Sequence, residues 1–229
     1  VVGSLDVSGK NSDLNLDVSF REFILNPLNS FGGGVITNIR GDVSGFANVS
    51  GRLEKPQIEG GLKINNGGLA IPYLNVDYRF KNNTTVLLKD QDFIFDKAFM
   101  VDVDYQSQAL LNGSIGHNNF SDWALNLSID SDRLLVLNTD EQDESVYFGT
   151  AFVDGIINVS GPTDQLLIEA DVTTSEGTIF KIPLSDNEIL AENPYIHFLT
   201  PEEKSNQDTG SILVDDIKGV EMEFNMDIN

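Results

Sequence analysis

Residues 41–74, GDVSGFANVSGRLEKPQIEGGLKINNGGLAIPYL, decide the fold. Val43, Gly45, Ala47, Val49, Gly51 and Leu53 alternate with polar or small residues, Phe46 excepted. Ile58, Gly60, Leu62 and Ile64 resume the alternation after a turn at Glu54-Lys55-Pro56. Period two is the signature of strands with one apolar face. Glycines fall on that face, where they permit curvature or close backbone approach. The phrase therefore predicts two long, bendable, half-apolar strands joined by a turn.

Much of it returns at residues 155–184, GIINVSGPTDQLLIEADVTTSEGTIFKIPL. Asn48-Val49-Ser50-Gly51 is matched 110 residues on by Asn158 to Gly161, and Ile58-Glu59 by Ile168-Glu169 at the same offset. Ile71-Pro72 is matched by Ile182-Pro183 after a slip of one. Two copies in register mean that the chain grows by repetition.

Working outward, the same alternation recurs. Leu14, Leu16, Val18 and Phe20 form one strand, and Asn26-Pro27-Leu28-Asn29-Ser30 reads as a break or short helical turn. Leu74, Val76, Tyr78 and Phe80 share a face, as do Phe99, Val101, Val103 and Tyr105. Trp123, Leu125, Leu127 and Ile129 line another strand. The run Leu134-Leu135-Val136-Leu137 predicts deeper burial. Val220, Met222, Phe224, Met226 and Ile228 alternate near the end, after a polar stretch at 201–208 expected to be a loose loop. About a dozen such segments appear, and none has helical periodicity over three turns. The expectation is an all-β chain of sequential hairpins.

Composition narrows the partners. The 229 residues carry 14 Lys+Arg against 36 Asp+Glu, a formal net charge of -22. No basic stripe is available for phosphate backbones, so nucleic acid is excluded as a partner, and docking onto an anionic bilayer surface is disfavoured. There is no cysteine, hence no disulfide and no thiolate metal site. No apolar run approaches the roughly 20 residues of a membrane-spanning helix. The chain starts and stops mid-pattern, and is read as a single β-rich segment over 1–229, truncated at both ends.

Catalytic constellations are weak. His117 and His197 are the only histidines, and neither has triad or zinc partners at a recognisable spacing. Asp102 and Asp104 share one face and could pair as acid and base. Opposite Val101, Val103 and Tyr105 they read better as the wet side of a strand. Asp140, Glu141, Asp143 and Glu144 lack the spacing of a calcium loop. No enzyme activity, cofactor or metal is expected. What remains is the apolar face, covered by a second sheet or left open to hold an apolar ligand.

In order along the chain, several phrases resemble the C-terminal β-rich region of the TamB family, relatives of AsmA-like and bridge-like lipid-transfer proteins. They are Val49 to Gly67 (V-x-G…P-x-I-x-G-x-L-x-I-x-x-G), Leu69 to Leu74 (LAIPYL), and Gly113-Ser114-Ile115 with His117, Phe120 and Trp123. Leu134 to Thr139 (LLVLNT), Tyr147 to Ala151 (YFGTA), Gly155 and Asn158 to Gly161 follow. The resemblance implies an elongated, folded-over sheet, or β-taco, with an apolar groove. It implies phospholipid acyl chains as ligand, transport toward the outer membrane, and support of outer-membrane protein assembly beside a BamA-like barrel protein. It also implies a periplasmic location, with the full-length protein anchored in the inner membrane of a diderm bacterium. No catalytic residues are carried over.

The residues expected to face the groove are Phe20, Leu62, Ile64, Val76, Phe80, Phe95, Val103, Trp123, Leu125, Leu127, Phe148 and Ile168. The competing classes are an extracellular adhesive or glycan-binding β-repeat, which needs a flat aromatic platform outside, and a structural spacer. A lone Trp123 in phase with Leu125 and Leu127 argues against such a platform.

Overall fold

The computed structural model describes residues 1–6, 13–31, 34–141, 147–182 and 219–227. They form a 13-stranded sheet. Its strands are β1 (Val2–Asp6), β2 (Asp13–Ile24), β3 (Thr37–Arg52), β4 (Lys55–Ile71), β5 (Val76–Phe80), β6 (Thr84–Asp90), β7 (Asp92–Asp102), β8 (Gln108–Asn118), β9 (Ser121–Thr139), β10 (Phe148–Pro162), β11 (Gln165–Thr174), β12 (Ile179–Lys181) and β13 (Gly219–Asp227). Among the described residues helical structure is limited to 3-10 turns at Asn26–Phe31 and Pro72–Leu74. His197, the 201–208 stretch, Ile228 and most of the 140–144 acidic loop lie outside the described residues.

Neighbours in sequence are neighbours in the sheet, in the order β1-β2-β3-β4-β5-β7-β8-β9-β10-β11-β13. Short turns join antiparallel neighbours, so every described pair is antiparallel but one. The exception, β11 with β13, is parallel, and residues 182–218 lie between β12 and β13, enough for the crossover a parallel pair requires. β6 shares with β5 the place between β4 and β7, because Lys81-Asn82-Asn83 interrupts that strand. β1 and β13 stand at opposite ends, so the sheet is not a closed barrel.

The repeated phrase has one geometry. In β3–β4, Val49 faces Ile58, Ala47 faces Gly60 and Gly45 faces Leu62. In β10–β11, Val159 faces Ile168, Ile157 faces Ala170 and Gly155 faces Val172, each 110 residues on. Gly113 and Gly155 show why glycine stands on the apolar face. Their φ values of +114° and +134° are strained for any side chain, and a Cβ would run into the Asn126 or Asp171 carbonyl oxygen of the next strand.

The sheet folds over. β5 and β9, separated by β7 and β8, pack face to face, and the Tyr78 hydroxyl donates to the Leu135 carbonyl at 2.7 Å. Leu134, Leu135 and Phe152 there are essentially inaccessible, as expected for the apolar run. A second cluster holds Val43, Ala47, Ile58, Leu62, Val86 and Leu88, and Phe95 packs against both.

Candidate functional site

A line of paired residues crosses nine strands without meeting a polar side chain. Phe20 faces Gly45, Gly45 faces Leu62, Leu62 faces Val86, and Val86 faces Phe95. Phe95 then faces Gly113, followed by Leu127, Val159 and Ile168. Directly paired residues point to the same side of a sheet, so this ladder is one continuous apolar strip. Beside it runs Val18, Ala47, Gly60, Leu88, Phe93, Ile115, Leu125 and Gly161, also wholly apolar. The other side of β9 to β11 carries Asp130, Asp171 and Glu169 at paired positions or near them.

At its closed end the strip is sealed by polar groups that satisfy one another. Asp102 is fully buried and accepts from the backbone N–H of Asp104 (3.0 Å), Tyr105 (2.8 Å) and Ser107 (2.6 Å), and from the Ser107 hydroxyl. Ser107 Oγ in turn accepts from Leu135 N–H at 2.8 Å. Burial, with Asp102 nearby, pushes the Tyr78 hydroxyl far above its usual range. At the rim, Tyr147 donates to Tyr73 at 3.1 Å, and that bond, with burial, holds its pKa up at about 12.

At the opposite end Phe93, His117, Phe120 and Trp123 pack as four rings. His117 stacks on Phe120 at 4.5 Å and lies 5.0 Å from Trp123, which stacks on Phe93 at 6.1 Å. Loss of hydration lowers the His117 pKa, and Asp92 opposes that in part. His117 is therefore half-buried among aromatics rather than a free turn residue.

The twelve residues singled out by sequence fall as follows. Phe20, Leu62, Phe95, Leu127 and Ile168 are rungs of the central ladder. Leu125 lies in the adjacent row, Ile64 pairs with Val43, and Trp123 is in the aromatic end. Val76 and Phe80 belong to the larger cluster. Phe148 lies under Lys181 Nζ at 5.5 Å, outside the clusters.

Val103 is a correction. A bulge between Phe95 and Ala98, with Lys97 at φ +48°, shifts β7 by one residue, so Ala98, Met100 and Asp102 turn inward. Phe99, Val101 and Val103 do share a face, but it is the outer one, and Val103 is 40% exposed. The same slip overturns the wet-side reading of Asp102. Sequence missed Val86, Phe93 and Val159 as ladder or flanking residues, although period-two continuation from Leu88, Phe95 and Ile157 marks each of them.

Among the described residues no group of three or more acidic, His or Cys side chains could hold a metal ion, and no helix is long and apolar enough to cross a membrane. The chain is thus an all-β protein whose single sheet is apolar on one side and folds over without closing into a barrel. Residues 100–229 match the family model of the TamB C-terminal domain, and the chain belongs to the TamB family. No curated protein and no solved structure matches the chain. The family is structural and transport-related rather than catalytic, and membership implies a role in outer-membrane biogenesis, a place in the cell envelope, and the TAM complex with TamA.

Proposed function

We infer that this chain is a stretch of lipid conduit. Phospholipid acyl chains lie along the ladder from Phe20 through Phe95 to Ile168 while headgroups stay in water at the open edge. Supporting this reading is the ladder itself, which offers apolar contact and no polar stop over nine strands. Burial of apolar area contributes about 25 cal/mol per Å², so tails are held without specific polar bonds and slide easily. The acidic outer side keeps the elongated sheet soluble and its edges apart. In the whole protein, anchored at the inner membrane and working in the periplasm, the conduit leads toward the outer membrane. There it supports protein assembly beside TamA, an outer-membrane barrel partner of the BamA-like kind.

Native mass spectrometry with lipid extraction on the purified chain tests this. Co-purifying phospholipid, lost in Leu127→Asp and kept in Asn126→Asp on the opposite side, is the expected result. A folded, lipid-free chain that also fails to take up a fluorescent phospholipid would overturn it in favour of a spacer.

A further inference from the structure

The geometry points to a phosphate-binding cleft at the seam between β5 and β6, taking the phosphate of a lipid headgroup. This deepens the conduit reading and rests on it for the lipid part alone. A cleft of about 530 Å³ opens there, lined among others by Arg40, Asn66, Arg79, Lys81, Asn82 and Phe99. Three cations thus converge on one cleft in a chain of net charge -22.

Their bonding leaves charge to spare. Arg40 is neutralised by Asp77, 2.6 Å away, in the sole ion pair among the described residues. Arg79 has no carboxylate within 4 Å there, and its Nη2 donates to the neutral Gln106 side chain at 2.5 Å. Lys81 Nζ lies over the Phe99 ring at 5.9 Å and likewise has no carboxylate partner within 4 Å among the described residues. Two exposed, uncompensated donors flanked by asparagine amides suit a phosphate diester, whose oxygens accept charge-assisted hydrogen bonds.

The cleft also touches the apolar strip. Phe80 lines it, belongs to the larger core cluster, and stacks on Phe95 at 6.5 Å. Phe95 is a rung of the ladder. The strand breaks here because Lys81-Asn82-Asn83 makes no ladder pairs; Asn82 Oδ1 accepts from Asn66 N–H at 2.9 Å and Asn65 Oδ1 from Asn83 N–H at 3.2 Å. Arg79 pairs with Val101 on the outer side and Phe80 with Met100 on the inner side, so a headgroup held by Arg79 and Lys81 reaches Phe80 and Phe95 with its tails only across the seam that residues 81–83 leave in the ladder.

The test uses the folded chain with three probes: didecanoyl phosphatidylglycerol, didecanoylglycerol with the same tails and no phosphate, and inorganic phosphate. Lipid binding is read by native mass spectrometry and phosphate by phosphorus NMR line broadening. In Arg79→Gln/Lys81→Gln, phosphatidylglycerol binding should weaken about tenfold. Didecanoylglycerol binding should not change, phosphate broadening should vanish, and the wild-type preference should shrink in high salt. Lys81→Glu alone gives the same reading if the double variant melts low. Unchanged phosphatidylglycerol binding, or equal loss of both lipids, would overturn the cleft, and retained didecanoylglycerol uptake would leave the conduit intact. Phosphate broadening that needs Arg79 and Lys81, without uptake of either lipid, would assign the cleft to free phosphate and remove the conduit.

Discussion

The Tyr78 hydroxyl and the Leu135 carbonyl, 57 residues apart, meet at 2.7 Å across the fold of the sheet. Both are buried, so neither finds water if the other is lost. Tyr78→Phe should lower stability by about 1–2 kcal/mol in urea unfolding, the cost of stranding the carbonyl.

The same hydroxyl fixes an alkaline limit. Its folded pKa lies above the usual 10, so the unfolded chain loses its proton first as pH rises. The stabilisation is complete below pH 10 and declines above it. Tyr78→Phe should flatten that decline in melts at high pH, and an unchanged slope would assign it to Tyr147 instead.

His117 acts in the opposite sense. Its folded pKa is depressed below 6.5, so the unfolded chain takes up the proton more readily and stability is lost as pH falls from 6.5. Trp123, 5.0 Å away, is the lone tryptophan and reports this end. The acid-side drop in melting temperature by Trp fluorescence should be smaller in His117→Gln.

Asp102 tests whether a buried carboxylate holds the closed end. Asp102→Ala removes the acceptor of three backbone N–H groups and one hydroxyl. It should cost about 3 kcal/mol by denaturant titration. Asp104→Ala, at an exposed position, should be nearly neutral.

Two glycines separate curvature from flexibility. Gly113→Ala meets both a strained φ of +114° and the Asn126 carbonyl, and should cost at least about 2 kcal/mol. At Gly61 a Cβ meets nothing within 4 Å, so Gly61→Ala should be neutral or stabilise by about 0.5 kcal/mol. Thermal melts of the pair decide it.

The class of fold, most strand centres and five rungs of the ladder were legible because alternation and the repeated phrase carry them directly. Bulges were not. Asp96 and Lys97 look like ordinary strand residues, yet one extra residue there reverses every side chain from Ala98 to Val103. Burial of Asp102 escaped for the same reason, since three of its four donors are backbone N–H groups that leave no mark in side-chain pattern. The basic cleft was equally hidden: Arg40 stands 39 residues before Arg79 and joins it only through the sheet.

The common register of the two hairpins turns the chain into a ruler. From β3 to β10 is six strand spacings along the sheet, about 29 Å at the usual interval. Six is even, so a duplicated or deleted unit restores strand direction and keeps valine opposite isoleucine. A gene built this way is free to match its product to a wider or narrower gap in whole units, while a change by an odd number of strands would reverse strand direction at the joint.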